Sequence, residues 1–141
     1  MSLKTLIELN DFLIKKCYNT EYYSINKSPK SDGLCIEKWG ELFVLSYFER
    51  GRSENIDYFE DEVKAVEFVY DLILKDKYAN SHLIAALNIP AKKNELRNKL
   101  NYRNINYWMD EIPTLNGNTT RFFIIGCDIK KVVDLIDKEL V

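Results

Sequence analysis

The stretch at residues 39–75 constrains the fold of this chain more than any other part of the sequence. Two short apolar and aromatic runs, at 41–48 and 56–59, lie on either side of the polar, glycine-containing segment 49–53. The acidic cluster 60–62 then precedes apolar residues spaced as on one face of a helix. Two strand-length runs around a glycine turn, followed by a helix with an acidic first turn, predict a β-hairpin that leads into a helix.

The rest of the first half continues this mixture of strands and helices. Ser2 is the predicted N-cap of a first helix, because apolar residues at helical spacing follow it. Gly40-Glu41 and residues 50–53 are the predicted hairpin turns. Strand 42–49 is apolar on both faces, which predicts a central position in the sheet. The predicted elements are a helix at 2–17, strands at 22–25, 34–39, 42–49 and 54–59, and a helix at 62–75.

The second half has a different order of elements. Pro90 suits the first position of a helix, Asn116-Gly117 suits a turn over 113–118, and Asp128 is the predicted cap of a last helix. The order strand, helix, strand, strand, helix is that of half a ferredoxin-like sandwich. The predicted elements are a strand at 82–87, a helix at 91–100, strands at 105–111 and 121–125, and a helix from 129 to 140.

Together the two halves predict an α+β protein with a mainly antiparallel sheet and helices packed on it. A chain of 141 residues is the size of one domain. No low-complexity linker separates the halves, so we expect one domain over residues 1–141, with either one continuous sheet or two subdomains, 1–78 and 79–141, that share a core.

Composition excludes several classes of protein. The formal net charge of −2 provides no general attraction for nucleic acid. No apolar stretch is long enough to cross a membrane, and the N-terminus lacks the apolar core of a signal peptide. Cys17, Cys35 and Cys127 are far apart and odd in number, which predicts reduced thiols in a cytoplasmic protein.

Metal, cofactor and catalytic sites are not predicted. His82 is the only histidine, no cysteine pair has metal-ligand spacing, and none of the five glycines belongs to a phosphate-binding motif. Cys127 is predicted as a buried structural thiol, with a nucleophilic role at the start of the last helix as the alternative. We therefore expect no catalytic residue, no metal ligand and no cofactor, and a protein that is not an enzyme.

Charge is distributed unevenly along the chain. Residues 41–75 contain nine acidic and four basic side chains, a net charge of −5, with tyrosines and phenylalanines among them. Residues 76–105 contain six basic and two acidic side chains, a net charge of +4. An acidic surface with exposed aromatic residues suits a basic protein partner, although an ordinary acidic face over a core hairpin explains the same pattern. A basic helix near aromatic residues leaves RNA binding as a weaker alternative.

The order of the segments 39–48, 49–51 and 56–59, followed by a helix that contains Ala65, resembles hairpin-plus-helix segments of small bacterial immunity proteins. Such proteins neutralise the toxin domains of contact-dependent and other polymorphic secretion systems. The second half is similar to the C-terminal parts of these proteins, with the run 105–112, a glycine turn, the apolar run 121–126 and a closing helix. The resemblance implies a cytoplasmic protein that binds one cognate toxin and blocks it.

We therefore expect an immunity protein that occludes a secreted bacterial toxin domain, with a basic nuclease as the expected toxin. A non-enzymatic regulatory or scaffold domain is the alternative, and an RNA-binding domain or a small enzyme comes third. We expect neither a nucleic acid nor a membrane as partner, and the sequence leaves the oligomeric state open. The predicted partner-binding residues are Tyr47, Glu49, Glu54, Asp57, Tyr58, Glu60 and Asp61.

Overall fold

The computed structural model describes residues 3–29, 32–115 and 117–140. The chain divides into two compact units, Met1–Asn80 and Ser81–Val141. A four-stranded sheet belongs to the first unit and a three-stranded sheet to the second. Helices accompany both sheets, and all but one of the strand pairings are antiparallel, so the predicted α+β class is confirmed.

The first unit follows the predicted order of elements. Its sheet has the strand order β1-β2-β3-β4, in which β1 runs parallel to β2 and the other pairs are antiparallel. A short 3-10 turn at Lys77–Asn80 ends the unit. The elements are α1 (Leu6–Lys15), β1 (Tyr23–Ile25), β2 (Gly33–Trp39), β3 (Leu42–Glu49), β4 (Arg52–Phe59) and α2 (Glu62–Lys75).

The core of the first unit lies between one face of this sheet and the two helices. Ile36 and Leu45 from β2 and β3 are buried there, and the helices contribute a stripe of buried side chains at helical spacing. The central position predicted for β3 is confirmed, since the strand pairs with β2 on one side and β4 on the other. The helix side chains are Leu6, Leu9 and Leu13 from α1 and Ala65, Val66, Val69 and Ile73 from α2.

Two tight turns determine the register of β2, β3 and β4. Gly40 has a φ of +64° in the first turn, and Arg50 and Gly51 have φ values of +50° and +77° in the second. Positive φ at both central residues is the geometry of a two-residue hairpin turn. The predicted turn over 50–53 is therefore too long, and β4 begins at Arg52 rather than at residue 54.

Helix α1 begins later than the sequence pattern predicted. Thr5 is the N-cap, and its hydroxyl accepts a hydrogen bond from the Glu8 N–H at 3.1 Å, while the Glu8 carboxylate accepts one from the Thr5 N–H at 3.1 Å. This reciprocal capping box replaces the predicted Ser2 cap, which lies outside the described residues. The helix ends at Lys15 because the chain leaves helical geometry at Cys17, which has a φ of +59°.

The second unit is built on the antiparallel strand order β5-β7-β6. Pro90 occupies the first turn of α3, as predicted. The core contains Phe122 and Ile124 from the central strand, with Leu96 and Leu100 from the helix. The elements are β5 (Ser81–Leu87), α3 (Pro90–Tyr102), β6 (Tyr107–Thr114) and β7 (Gly117–Ile125), followed by 3-10 segments at Gly126–Lys131 and Val133–Leu135.

The predicted turn over 113–118 is too long. β6 runs on to Thr114 and β7 begins at Gly117, so the strands are longer than the sequence pattern suggested. Residue 113 is a proline, which cannot donate a backbone hydrogen bond, but β6 is an edge strand that pairs only with β7. Asn116 of the predicted turn lies outside the described residues.

The predicted last helix is wrong, so the ferredoxin-like order of the second half is not confirmed. The Asp128 carboxylate accepts a hydrogen bond from the Asn106 N–H at 3.0 Å and pairs with Lys131, which ties it to the segment before β6 rather than to a helix N-terminus. The Asp137 N–H donates to the carbonyl of Ile84 on β5 at 2.8 Å. These contacts hold the segment against the sheet, where Val132 is buried.

Removing the hydroxyl of Thr5 tests the revised start of α1. We expect Thr5→Ala to lower the free energy of unfolding by about 1 kcal/mol, because it leaves an N-terminal N–H of the helix without its side-chain partner. Ser2→Ala is the matched control and should change stability by less than about 0.5 kcal/mol. Urea denaturation followed by circular dichroism measures the free energy of unfolding of both variants. A larger loss for Ser2→Ala than for Thr5→Ala would support Ser2 as the N-cap.

Candidate functional site

An apolar groove lies on the sheet face opposite the helices of the first unit. Its volume is about 440 Å³, and residues of β2, β3 and β4 line it. Leu42 and Val44 contribute apolar side chains from β3, Trp39 contributes its indole from the end of β2, and Ile56 and Tyr58 contribute side chains from β4. Asn55 and Asp57 add polar groups along the same strand.

The hairpin register brings these side chains together. Trp39 is the cross-strand partner of Leu42, and Val44 is the partner of Tyr58. Directly opposed residues of an antiparallel pair point to the same face of the sheet. Tyr58, Ile56 and Trp39 are 64%, 51% and 47% exposed, so the groove presents a connected apolar and aromatic surface. Contiguous exposed apolar surface often marks a contact site, whereas single exposed apolar residues do not.

Strand β4 is an edge of the sheet, but its outer side is not an open hydrogen-bonding edge. The register shifts between Leu45 and Ser46 on β3, and Ile56 is the unpaired residue of the resulting bulge on β4. The Tyr58 N–H donates to the carboxylate of Asp57 at 2.8 Å. Bulges and edge charges prevent another strand from pairing. A partner would therefore contact this region through side chains rather than by adding a strand.

The predicted partner-binding residues are divided between the two faces of the sheet. Tyr58 and Asp57 line the groove. Tyr47 is the cross-strand partner of Glu54, and Glu49 is the partner of Arg52. Because side chains alternate along β3, Tyr47 and Glu49 share the face of Leu45, opposite the groove. All five of these residues are exposed.

The acidic cluster before α2 has a mainly structural role. The Asp61 carboxylate accepts a hydrogen bond from the Val63 N–H at 2.9 Å and caps α2. The Glu62 carboxylate accepts one from the Leu6 N–H at 2.9 Å and thus caps the start of α1. Glu60 is exposed in the connection between β4 and α2. Of the two cluster residues predicted to bind a partner, Asp61 is therefore committed to the fold.

The acidic charge of residues 41–75 is not neutralised within the part of the chain that the structure describes. No acidic side chain in this segment forms an ion pair with a described residue. The second unit differs, since its ion pairs are Lys99–Glu95, Arg103–Asp134, Arg121–Asp110 and Lys131–Asp128. The net charge of −5 over 41–75 is thus available to act on molecules in solution.

Five of the groove residues were not among the predicted contact residues: Trp39, Leu42, Val44, Asn55 and Ile56. The sequence does contain a signal that Trp39 and Leu42 lie together, namely the two-residue turn at Gly40-Glu41. A tight hairpin turn fixes the residues on either side of it as direct partners, so Trp39 and Leu42 had to lie side by side. The position of Ile56 depends on the bulge, which the sequence does not reveal.

The basic segment of the second unit is a mostly exposed helix. Only Leu96 and Leu100 of α3 are buried, while Tyr102 is 89% exposed. The Arg103 guanidinium forms two hydrogen bonds with the Asp134 carboxylate, at 2.8 and 2.7 Å, and Lys99 pairs with Glu95. These pairs reduce the positive charge that the RNA-binding alternative requires.

The cysteines correct the expectation of reduced thiols. Cys35 is a free thiol, and it is fully buried on β2. Burial, with a smaller effect from the nearby Glu37 carboxylate, raises the pKa of the Cys35 thiol to about 11. A thiol that is protonated at neutral pH and shielded from solvent is a poor nucleophile. In the first unit, Cys17 is disulfide-bonded, so the prediction of a reduced thiol is wrong there.

In the second unit, Cys127 contradicts its predicted role in two respects. The residue is exposed in the segment Gly126–Lys131 rather than buried, and it is disulfide-bonded rather than a thiol. As a disulfide-bonded residue, Cys127 is neither a buried structural thiol nor a free nucleophile. Residues 126–140 form no α-helix, so the helix N-terminus that was expected to activate this thiol is not found there.

The described residues contain neither a cluster of metal-binding side chains nor a helix that could cross a membrane. No group of three or more histidine, cysteine, aspartate or glutamate side chains is arranged to hold a metal ion within residues 3–29, 32–115 and 117–140. His82 lies on β5 and is partly buried. None of the helices described is both long and apolar enough to cross a membrane.

Comparison with known proteins found no match to a family model, to a curated protein or to a solved structure.

The buried Cys35 should resist labelling in the folded protein. At about pH 8 a thiol with a pKa of about 11 is only about one part in a thousand thiolate, and burial also blocks the reagent. We expect Ellman's reagent to react at least about 100-fold more slowly with the native than with the denatured protein. Denatured, unreduced protein should show one thiol, which Cys35→Ala removes. Rapid labelling of the native chain would contradict the buried position.

The pair between Arg103 and Asp134 predicts a specific dependence of stability on pH. Hydrogen bonding to Arg103 lowers the pKa of Asp134 from 3.8 to about 2. The pair therefore stabilises the fold fully above about pH 4, and this contribution is lost as the pH falls through about 2.

We expect Asp134→Asn to lower the Tm at about pH 5, and the difference from wild type should become much smaller at about pH 2. Glu139→Gln, which removes an exposed carboxylate outside any described ion pair, is the control. A Tm difference for Asp134→Asn that is the same at both pH values would show that the ion pair is not its cause.

Proposed function

We propose that this chain is an immunity protein that binds a cognate secreted bacterial toxin domain, a basic nuclease, and neutralises it. The observation that carries the proposal is the acidic segment 41–75, which has a net charge of −5 and no ion pair with a described residue. Acidic groups left without internal partners keep their attraction for a basic protein surface.

The expected mechanism is occlusion of the toxin's active surface. A nuclease cleft is positively charged because it must hold phosphate groups, so an acidic protein can occupy it without resembling nucleic acid in detail. Opposite charges raise the association rate of the two proteins, whereas buried aromatic contacts lower the dissociation rate of the complex. This division of roles requires that the inhibitor expose both acids and aromatic residues to the partner.

Exposed residues of the first unit provide both groups. Tyr58, with 64% of its surface exposed, and Tyr47, with 40%, are the proposed anchors, since tyrosine combines a large apolar area with little rotamer entropy. They lie on opposite faces of the sheet, and therefore a partner that contacts both must wrap around the β3–β4 hairpin. Glu49, Glu54, Asp57 and Glu60 are the exposed acids nearest to them in the sequence.

A regulatory or scaffold domain that binds another protein is the second candidate. The groove on the outer face of β2–β4 supports this reading equally, since it indicates a protein partner without indicating a toxin. The two candidates differ in what the partner does. A toxin must be lethal or enzymatically active alone and inactive in the complex, whereas a regulatory partner need not be.

The proposal includes action in the cytoplasm, where a nuclease toxin would find its substrate. Disulfide-bonded cysteines weigh against a reducing compartment, because glutathione and thioredoxin keep cytoplasmic thiols reduced. Fractionation of cells that produce the chain without a tag tests this localisation. Recovery of the chain outside the cytoplasm would contradict this part of the proposal.

Charge reversal tests the proposed binding surface. The toxin to test is the C-terminal domain of any large secreted protein that sequencing finds encoded directly upstream of this gene. We expect simultaneous Glu54→Lys, Asp57→Lys and Glu60→Lys substitutions to lower the association rate by at least about tenfold at low salt, because electrostatic steering is lost. Surface plasmon resonance at several salt concentrations measures this rate, and growth of cells that produce the toxin measures protection.

A matched triple variant separates this surface from net charge. Asp11→Lys, Glu111→Lys and Glu139→Lys change the charge equally at exposed positions elsewhere and should leave most of the association rate intact. Equal losses for the two triples would mean that only overall charge matters. A toxin domain that binds neither the wild type nor either variant would contradict the proposed function.

A further inference from the structure

We propose that the groove on the outer face of β2–β4 receives a lysine or arginine side chain of the protein partner. This inference rests on the proposed function and names the chemistry of the partner at one site. It assigns to the groove a partly apolar occupant with a cationic end, rather than a fully apolar side chain or an added strand.

The walls of the groove fit the body of such a side chain. Leu42 and Val44 give an apolar floor to hold the methylene groups of lysine or arginine. The rings of Trp39 and Tyr58 lie at the two sides of β3 and are about half exposed or more. A guanidinium or ammonium group is attracted to the face of an aromatic ring, and most strongly to that of tryptophan.

The charge around the groove fits the cationic end. Asp57 is among the residues that line the groove, on the edge strand where it is the cross-strand partner of Leu45. Glu37 is the cross-strand partner of Val44 and lies on the groove face of β2. Glu41 is exposed in the turn between Trp39 and Leu42. Lys38 already lies 5.8 Å from the centre of the Phe43 ring on the opposite face, but no described cation pairs with Asp57 or Glu41.

The features of β4 argue against two other occupants. Strand addition is opposed by the bulge at Ile56 and by the carboxylate that holds the Tyr58 N–H. A fully apolar side chain would fit the floor but would shield the Asp57 carboxylate from water without offering it a cationic partner, which is unfavourable. A long aliphatic chain that ends in a cation can contact the apolar floor with its methylene groups and pair its charge with the carboxylate at the edge of the groove.

The test uses two small probes that differ in charge and not in shape. n-Butylguanidinium and n-butylurea are titrated into the ¹⁵N-labelled full chain and followed by ¹H–¹⁵N spectra. We expect saturable shifts at the Trp39 indole N–H and at the backbone amides of residues 55–58, with an apparent Kd at least about fivefold lower for the cation. The indole N–H of Trp108, in the second unit, is the internal control.

Two matched variants identify the groups that bind. Asp57→Asn keeps an oxygen that can accept the Tyr58 N–H but removes the charge, so it should weaken butylguanidinium binding at least about threefold without affecting butylurea. Glu54→Gln removes a carboxylate beside Tyr47 on the opposite face and should leave both affinities unchanged. Dispersion of the same spectra reports whether each variant is folded.

Equal affinity for the two probes would overturn the inference, because the groove would then be selecting for shape alone. Shifts centred on Glu49 and Glu54, or none at Trp39 and 55–58, would also overturn it. Failure of the proposed function is distinguishable. If a toxin binds the Trp39→Ala and Asp57→Asn variants as tightly as wild type, the proposed role of the groove is contradicted but the proposed function is not. If the groove binds the cation but no cognate toxin exists, the proposed function is contradicted but the cation site is not.

Discussion

The hydrogen-bonded register of β2, β3 and β4 is the constraint on which the rest of the first unit depends. Two tight turns, at Gly40 and at Arg50-Gly51, leave almost no freedom in how the strands pair. Because side chains alternate, a shift of one residue would exchange Ile36 and Leu45 in the core for Glu37 and Val44 on the other face. The same register therefore builds both the core and the groove.

The helices depend on this sheet and on each other. Their buried stripes cover one face of it, and the Glu62 carboxylate at the start of α2 accepts the Leu6 N–H at the start of α1. A carboxylate at the N-terminus of a helix also interacts favourably with the helix dipole. Part of the acidic cluster thus stabilises the first unit, and the exposed acids of β3, β4 and the following turn remain for contact with a partner.

Charge is organised differently in the two units. In the second unit, acidic and basic side chains neutralise one another in pairs, such as Arg103 with Asp134 and Arg121 with Asp110. Pairs at the surface contribute modestly to stability, and they reduce the local field. The acidic segment of the first unit has no such pairs with described residues, so its field extends into solvent over roughly a Debye length of about 8 Å at physiological salt.

Local features of the sequence determined most of the elements. Helix α2 occupies Glu62–Lys75 and β3 occupies Leu42–Glu49 as predicted, because apolar spacing and turn residues act over a few positions. The same reasoning failed where distant residues compete. Asp128 is bound by Asn106, and the chain after β7 packs against β5, so a helical stripe of apolar residues became 3-10 segments.

The sequence by itself determined the hairpin, the helix after it and the concentration of acids at 41–75, since each of these depends on neighbours in the chain. Only the tertiary structure decided which aromatic residues stay exposed. Tyr47 and Tyr58 look alike in the sequence, but strand pairing puts them on opposite faces, and Trp39 joins Tyr58 because a turn brings β2 and β3 together. Burial and ion pairing depend on contacts between residues far apart in the chain, which a local pattern does not contain.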